Sequence, residues 1–253
     1  LMLRWLAILV ALALPASAEE VVLGMSQDKV AITANFDGSE ILIFGAVKRE
    51  EAIPEGDPLQ VIVAIQGPSE PITVRRKEKR FGIWVNTQSV DVDAAPSFYA
   101  VATSAPFDEV LSSTEDLRYK ISIPSAIRSV GAPMTVQDSQ SFTDAVIRVR
   151  KANSLFQLNE GSVEFSQDTL FKTSIAMPAN LTEGAYRTRI YLTRSGVVVS
   201  EYETEIDVRK VGLERWLYTL SRQQPLIYGL LSLAIAIFSG WAASAIFTGL
   251  RRG

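Results

Sequence analysis

The sequence predicts a mainly β protein, with two antiparallel β-sandwich domains of immunoglobulin-like type followed by one C-terminal transmembrane helix. Short β-branched apolar runs, separated by Gly, Pro and Asp, fill the middle of the chain, a pattern typical of antiparallel β domains. An uncharged apolar run then extends from Pro225 to Leu250. At about 1.5 Å per helical residue it is longer than the roughly 30 Å hydrocarbon layer of a bilayer.

The first residues have the features of an export signal. Arg4 precedes an apolar stretch from Trp5 to Leu14, and the small-x-small pattern Ala16-Ser17-Ala18 follows. We predict a signal peptide over residues 1–18, cleaved after Ala18. An uncleaved N-terminal anchor is the alternative, and in both cases the middle of the chain is exported.

Composition excludes several kinds of chemistry. The sequence has 25 Lys plus Arg and 28 Asp plus Glu, and it has neither Cys nor His. Removal of Arg4, Arg251 and Arg252 leaves 22 basic against 28 acidic residues, so the exported region has no electrostatic reason to bind nucleic acid. Without Cys or His there is no Ser-His or Cys-His nucleophile pair and no Cys/His zinc site. We therefore predict no enzyme activity, no cofactor and no metal site.

The first β domain is predicted over residues 19–127 and begins with a hairpin. Residues 29–36 and 40–47 flank Asp37-Gly38, a pair that suits a two-residue turn. The implied register sets Ile32 opposite Ile43 and Ala34 opposite Ile41. Residues 59–66 then indicate a strand that is buried on both faces.

A second hairpin of this domain contains the densest basic cluster of the sequence. It is predicted over residues 72–85, with Ile72 opposite Ile83, Val74 opposite Phe81, and its tip at residues 76–79. Trp84 is assigned to the core. Converging basic groups at a hairpin tip could bind an anion, whereas charge runs are more often simply solvated. The candidate anion-binding residues are Arg75, Arg76, Lys77, Lys79 and Arg80.

The second β domain is predicted over residues 128–210, because residues 124–140 are rich in Ser, Pro, Gly and Gln. It begins with a helix capped by Ser141. In its last hairpin, residues 185–208, successive side chains alternate between the two faces. The predicted register pairs Arg187 with Glu205, Arg189 with Glu203 and Ile190 with Tyr202. That register requires a three-residue loop over residues 195–197.

The rest of the chain is predicted to be associated with the membrane. Residues 211–224 form an amphipathic helix at the outer interface, residues 225–250 the transmembrane helix, and residues 251–253 a cytoplasmic tail. Arg251 and Arg252 set this orientation, because positive charge beside a span stays inside.

Small side chains recur at every fourth position of the predicted span. Such a column lets a second helix approach closely, although small residues are also common in spans. We predict that it contacts an integral-membrane protein or a second copy of the chain in a homodimer. Its members are Ser232, Ala236, Gly240 and Ser244, with Thr248 next in the series.

Several stretches together resemble one family: NFDGSEILIFGAVKRE (35–50), VRRKEKRFGIWVN (74–86), PSFYAVATS (96–104), NLTEGAYRTRIYLTRSG (180–196) and RKVGLERWLYTLSRQQPLIYGLLSLAIAI (209–237). They are similar to the alphaproteobacterial putative transmembrane protein family. The resemblance implies a signal peptide, a periplasmic region, one C-terminal span in the inner membrane, and a membrane partner. It implies no activity and no catalytic residues.

These observations favour a membrane-anchored periplasmic protein that acts by binding other proteins. The expected role is that of an accessory or interaction protein for an inner-membrane transporter or envelope complex. The alternative is an anion-binding or sensing module that uses the basic hairpin tip.

Overall fold

A computed structural model describes residues 20–26, 29–32, 38–48, 57–128, 138–167, 169–210 and 213–252. The predicted signal peptide, residues 1–18, lies outside these ranges. The strands are β1 Glu20–Met25, β2 Lys29–Ile32, β3 Ser39–Lys48, β4 Gln60–Gln66, β5 Ser69–Arg80, β6 Ile83–Pro96, β7 Tyr99–Thr103, β8 Phe156–Asn159, β9 Glu164–Ser166, β10 Leu170–Met177, β11 Gly184–Arg194 and β12 Val197–Lys210. The helices are α1 Phe107–Val110, α2 Ser113–Tyr119, α3 Ile123–Ala126, α4 Gln140–Ala152, α5 Leu213–Gln223 and α6 Pro225–Arg252.

The strands form three sheets, which confirms a mainly β protein with one C-terminal apolar helix. One sheet has the order β1-β3-β10-β9, a second has the order β2-β12-β11-β4-β7-β8, and β5 and β6 pair only with each other among the described strands. The pairs β1–β3, β3–β10, β9–β10, β11–β12, β4–β11, β4–β7 and β5–β6 are antiparallel, whereas β7 and β8 are parallel. The immunoglobulin-like sandwich arrangement remains a prediction.

The predicted boundary near residue 127 does not separate two sheets. Strand β3 pairs with β10, and β4 pairs with β11, so each larger sheet contains strands from both sides of that boundary. One compact unit holds the described residues up to 30 and those from 38 to 208, and a second unit holds 31–32 and those from 209 onward. The two separate β domains are therefore corrected to one β unit. The Ser- and Pro-rich segment is a connection inside it.

The core explains why strands from the two sides of residue 127 pair with each other. Residues Val61 to Ile65 of β4 are all fully buried, as the apolar run predicted. A strand buried on both faces also needs hydrogen-bonding neighbours on both edges. Strands β11 and β7 supply them. On the side of the sheet that Tyr99 and Tyr191 face, apolar residues of α1 to α4 complete the cluster.

The hairpin predicted around Asp37-Gly38 is wrong. Strand β3 pairs with β1 and β10, and Ile43 lies opposite Met25 and Thr173 rather than Ile32. Ala34 and Asp37 lie outside the described residues. Gly38 has φ +112°, and a Cβ at that position would lie 2.9 Å from the carbonyl oxygen of Met177. This glycine therefore permits a close approach to the end of β10 rather than a two-residue turn.

The register predicted for the last hairpin is confirmed. Arg187 lies opposite Glu205, Arg189 opposite Glu203 and Ile190 opposite Tyr202. The connection itself differs, because the turn has two residues, Ser195 and Gly196. A register shift between Leu192 and Thr193 adds the missing residue. The bulge thus preserves the alternation that the sequence predicted.

The predicted helices are present with small shifts at their ends. Helix α4 begins at Gln140, so Ser141 lies in its first turn and does not cap it as predicted. Asp138 Oδ1 accepts a hydrogen bond of 3.2 Å from the Ser141 backbone nitrogen. In the second unit, α5 and α6 correspond in residue range to the helices predicted at the interface and across the membrane. They are separated at Gln224, directly before Pro225. Proline is favoured in the first turn of a helix, where its missing N–H costs nothing.

The shared sheets can be tested by a disulfide, because the chain has no cysteine of its own. Leu42 and Ser174 are directly opposed in β3 and β10, and both side chains are exposed. We expect Leu42→Cys with Ser174→Cys to crosslink on mild oxidation, since opposed Cα atoms lie about 4.5–5.5 Å apart. Faster migration on non-reducing gels would report the bond.

The control is Leu42→Cys with Leu158→Cys, because Leu158 is exposed on β8 of the other large sheet. Equal crosslinking of both pairs, or of neither, would contradict the pairing of β3 with β10.

Candidate interaction surfaces

The basic cluster lies on a long two-stranded ribbon, formed by residues 69–96 and called the arm below. Its strands are joined by Phe81 and Gly82, with φ of +51° and +87°. Two successive positive φ values are the geometry of a type I′ hairpin turn. The predicted tip at residues 76–79 is therefore wrong. The basic residues lie along β5, and the tip is apolar.

The arm is fixed at its base and exposed at its end. Val90 and Val92 are buried, and they lie opposite Val74 and Ile72, which are half-buried against the main core cluster. This register replaces the predicted pairing of Ile72 with Ile83 and of Val74 with Phe81. The longer hairpin is favoured because it places these four apolar residues against the core.

Arg76 holds the arm against helix α4. Its guanidinium donates to Gln88 Oε1 at 3.1 Å and to Ser141 Oγ, and lies 3.5 Å from a carboxylate oxygen of Asp138. It also lies 4.6 Å from the ring centre of Phe142, a cation–π contact. Hydrogen bonds from the side chain and backbone of Ser141 lower the pKa of the Asp138 carboxyl, and Arg76 adds to that shift. Arg76 is thus a structural clamp.

The remaining basic residues do not converge on one point. The Arg80 guanidinium pairs with Glu78 at 3.4 Å. Arg75, Lys77 and Lys79 are exposed and alternate along one face of β5, where Lys79 lies opposite Trp84. The five residues predicted as an anion site are therefore spread over both faces of the ribbon. Basic side chains on free edges also prevent unwanted strand pairing.

The end of the arm exposes three large apolar side chains. Phe81 is fully exposed to solvent, and the exposed fractions of Ile83 and Trp84 are 65% and 67%. The assignment of Trp84 to the core is wrong, because the distal ribbon has solvent on both faces. The signal in the sequence was Phe-Gly-Ile-Trp directly after the six charged residues 75–80, five of them basic. It places apolar groups where a solvated loop would have polar ones.

A second apolar surface covers the outer face of the four-stranded sheet, and we call it the groove face. Val22, Leu42, Phe44 and Leu170 are each between 42% and 58% exposed. Val22, Phe44 and Leu170 line a groove of about 500 Å³, together with Gly24 and Ala46, and Leu42 lies on the same face of β3.

Glycine shapes this groove. A Cβ at Gly24 would lie 2.5 Å from Phe44 Cε2, so only glycine lets the Phe44 ring lie across β1. Lys172 Nζ pairs with Glu164 at 2.9 Å beside the groove. The groove face is thus an apolar centre with charges of both signs at its margin.

The small-residue column lies on α6, whose 20 residues Pro225–Ser244 have a mean hydropathy of 1.9. Ser232, Ala236, Gly240 and Ser244 are all exposed, and a Cβ at Gly240 would meet nothing within 4 Å. Ser232 Oγ donates to the Tyr228 carbonyl oxygen at 2.9 Å. That hydroxyl is therefore satisfied within its own helix. The side chain of Thr248 lies outside the described ones.

Tyr99 is fully buried in the β unit, and the neighbouring Arg189 is partly buried. The Tyr99 hydroxyl donates to the Ile121 carbonyl oxygen at 2.8 Å, and Arg189 Nη1 donates to the Tyr119 carbonyl oxygen at 3.0 Å. Burial raises the pKa of Tyr99 to about 12, although Arg189 opposes the shift. Both side chains fix the connection after α2 to the sheet, and the phenol stays protonated near neutral pH.

In the part of the chain that the structure describes, a mainly β unit is followed by one uncovered apolar helix long enough to cross a membrane, an arrangement that fits a single-pass membrane protein. The chain matches the family described as "Putative transmembrane protein (Alph_Pro_TM)" over residues 20–249, and it belongs to that family. None of the curated proteins compared with the chain matches it.

The clamp on the arm gives a stability prediction. We expect Arg76→Ala to lower the free energy of unfolding by about 1–3 kcal/mol, because charged hydrogen bonds are lost and their partners are left incompletely satisfied. Thermal unfolding of the full chain in mild detergent measures the effect.

The neighbouring Arg75→Ala is the matched control. Arg75 is exposed, so this change should stay within about 0.5 kcal/mol of the parent. Equal effects of the two substitutions would show that Arg76 does not clamp the arm.

Proposed function

We propose that this chain is a single-pass protein of the bacterial inner membrane that works by binding an integral-membrane partner. Its β unit lies in the periplasm and its C-terminus in the cytoplasm. The role is that of an accessory subunit of a transporter or envelope complex. The observation that carries the proposal is the apolar groove face of the four-stranded sheet.

An antiparallel sheet with one face in water normally alternates buried apolar and exposed polar residues. In β3 the outward positions include Leu42, Phe44 and Ala46, although the inward positions Ile41 and Ile43 already fill the core. Apolar area left in water costs about 25 cal/mol per Å² relative to burial. Contiguous exposed apolar surface of this kind marks an interaction site.

The shape and margin of the groove face favour a protein as its occupant. An apolar centre surrounded by charged residues is the usual anatomy of a protein–protein interface. The charged margin includes Glu40 and the Lys172–Glu164 pair, so both signs are available to a partner. A partner anchored in the same membrane would also meet this surface at high local concentration.

Binding is favoured over catalysis by the chemistry of the buried groups. The phenol of Tyr99 has a raised pKa and is bonded to backbone carbonyl oxygens, so it is a poor acid or base near pH 7. A single convergent anion site at the arm is not favoured either, because Arg76 contacts α4, Arg80 pairs with Glu78 and the other basic residues do not converge with them.

The groove face can be probed with a photoreactive side chain at Phe44. We expect a photocrosslinker at residue 44 to join the chain to one integral-membrane protein in native membranes. Phe44→Asp should abolish co-purification of the same protein in mild detergent, because a carboxylate would be desolvated in the apolar contact. Mass spectrometry identifies the adduct.

Leu158 supplies the matched control, since it is exposed to a similar degree on the other large sheet. A crosslinker or an aspartate at residue 158 should leave the complex unchanged. An adduct of two copies of the chain would assign the surface to self-association. That outcome, or the absence of any adduct at residue 44, would overturn the proposal.

The span provides a separate prediction. We expect Gly240→Leu to abolish association with the membrane partner or self-association in a reporter assay, because a bulky side chain holds two helices apart. Insertion should be unchanged. Leu233→Ile, off the column, is the control, and Ser232→Ala should have little effect because that hydroxyl bonds within its own helix.

Equal association of Gly240→Leu and the parent chain would show that the span is only an anchor. The partner contact would then lie entirely in the β unit.

A further inference from the structure

We propose that the tip of the arm, Phe81, Ile83 and Trp84, inserts into the headgroup region of an anionic lipid bilayer. The groove face takes no part in this contact, so the inference does not depend on the protein partner proposed above.

The arrangement of the apolar residues favours insertion end-on. Cross-strand partners share a face, so Trp84 lies with Lys79 on one face and Ile83 with Arg80 on the other. Phe81 lies at the turn between them and is fully exposed. A protein surface would usually cover one face of a ribbon, whereas a lipid layer surrounds its end on all sides.

The basic residues occupy the positions that a bilayer surface requires. Along residues 75–86 there are five basic side chains and one acidic one, while the whole chain has a net charge of −3. Lys79 lies directly opposite Trp84, and Lys77 and Arg75 follow on the same face of the ribbon. Arg80, opposite Ile83, pairs with Glu78, and Arg76 is held against α4. Long basic side chains next to an inserted apolar group can extend to lipid phosphates. The excess of positive charge over residues 75–86, at the distal part of the arm, matches an anionic surface.

The depth of insertion is limited because the backbone groups at the edges of the ribbon need polar partners. The length of the apolar tip agrees with that limit. Strand residues advance about 3.3 Å each, so the turn and the pair behind it reach about 7 Å. Interfacial apolar groups lie about 5–10 Å into the headgroup and acyl boundary. At that depth the outer edges of the ribbon remain among polar headgroups, so their backbone groups can be satisfied. Trp84 is a typical residue for this layer.

A bilayer is always close to this chain, because the protein belongs to a transmembrane family and has a candidate span at Pro225–Ser244. Tethering raises the local concentration of the lipid surface, so a weak contact by three side chains can be well occupied. A lone apolar tip of this size on an untethered protein would bind lipid only marginally.

The test follows the fluorescence of Trp84 in the full-length chain. Trp5, Trp216 and Trp241 are replaced by Phe, so that Trp84 alone reports. The protein is reconstituted into nanodiscs of phosphatidylcholine, with or without phosphatidylglycerol. We expect Trp84 emission to shift to shorter wavelength and to be quenched by brominated lipid in the anionic discs, and the shift to weaken as salt rises.

Two variants separate the apolar and electrostatic contributions. Phe81→Ser with Ile83→Ser should abolish the shift and the quenching, while Lys77→Gln with Lys79→Gln should retain them only in part. Val197→Ser is the control, because Val197 is 51% exposed at the start of β12. Unchanged thermal unfolding would show that these variants fold, as expected because the side chains of Phe81, Ile83, Lys77, Lys79 and Val197 are all exposed.

Identical Trp84 emission in neutral and anionic discs would overturn the inference. A blue shift that appears in detergent without lipid and rises with protein concentration would also overturn it, because it would assign the tip to a protein contact. Failure of the Phe44 crosslink would leave this result unaffected, so the two proposals fail separately.

Discussion

Strand β4 contains five consecutive fully buried residues, Val61 to Ile65, and the architecture of the β unit follows from the need to pair both of its edges. An unpaired backbone group in such surroundings would be costly. The neighbours come from distant parts of the chain, since β7 follows β4 after the arm and β11 comes more than a hundred residues later. Helices α1 to α4 then cover the side of the sheet that Tyr99 and Tyr191 face.

That constraint separates what the sequence could predict from what it could not. Local sequence patterns, such as the alternation in Ala185 to Val208, predicted the right register because the two strands of that hairpin are consecutive in the chain. The register of β3 could not be predicted in this way, because its partner β10 is remote in sequence. Asp37-Gly38 looked like a hairpin turn, but local turn chemistry does not decide which strand is the neighbour. The apolar span, in contrast, is decided by composition alone.

The interaction surfaces were partly predictable for the same reason. The basic residues of the arm were found from composition, but their roles depend on contacts across the fold. Arg76 differs from Arg75 only because Ser141, Phe142 and Asp138 lie on one side of the ribbon. The groove face was missed, because Leu42 and Phe44 are as apolar as the core residues between them. Only the sheet geometry shows which set faces outward.

The turn at the end of the arm contains a bulky residue in a backbone conformation that such residues disfavour. Two described hairpins close with two successive residues of positive φ. These are Ser195-Gly196 in one hairpin and Phe81-Gly82 in the other. Serine is among the residues common in turns, whereas a bulky side chain at φ +51° is disfavoured by roughly 1–2 kcal/mol. Asn or Asp at position 81 would make the hairpin easier to form. A chain optimised only for stability would therefore not carry Phe here, and the local cost of this side chain is offset if the ring makes the membrane contact proposed for the tip.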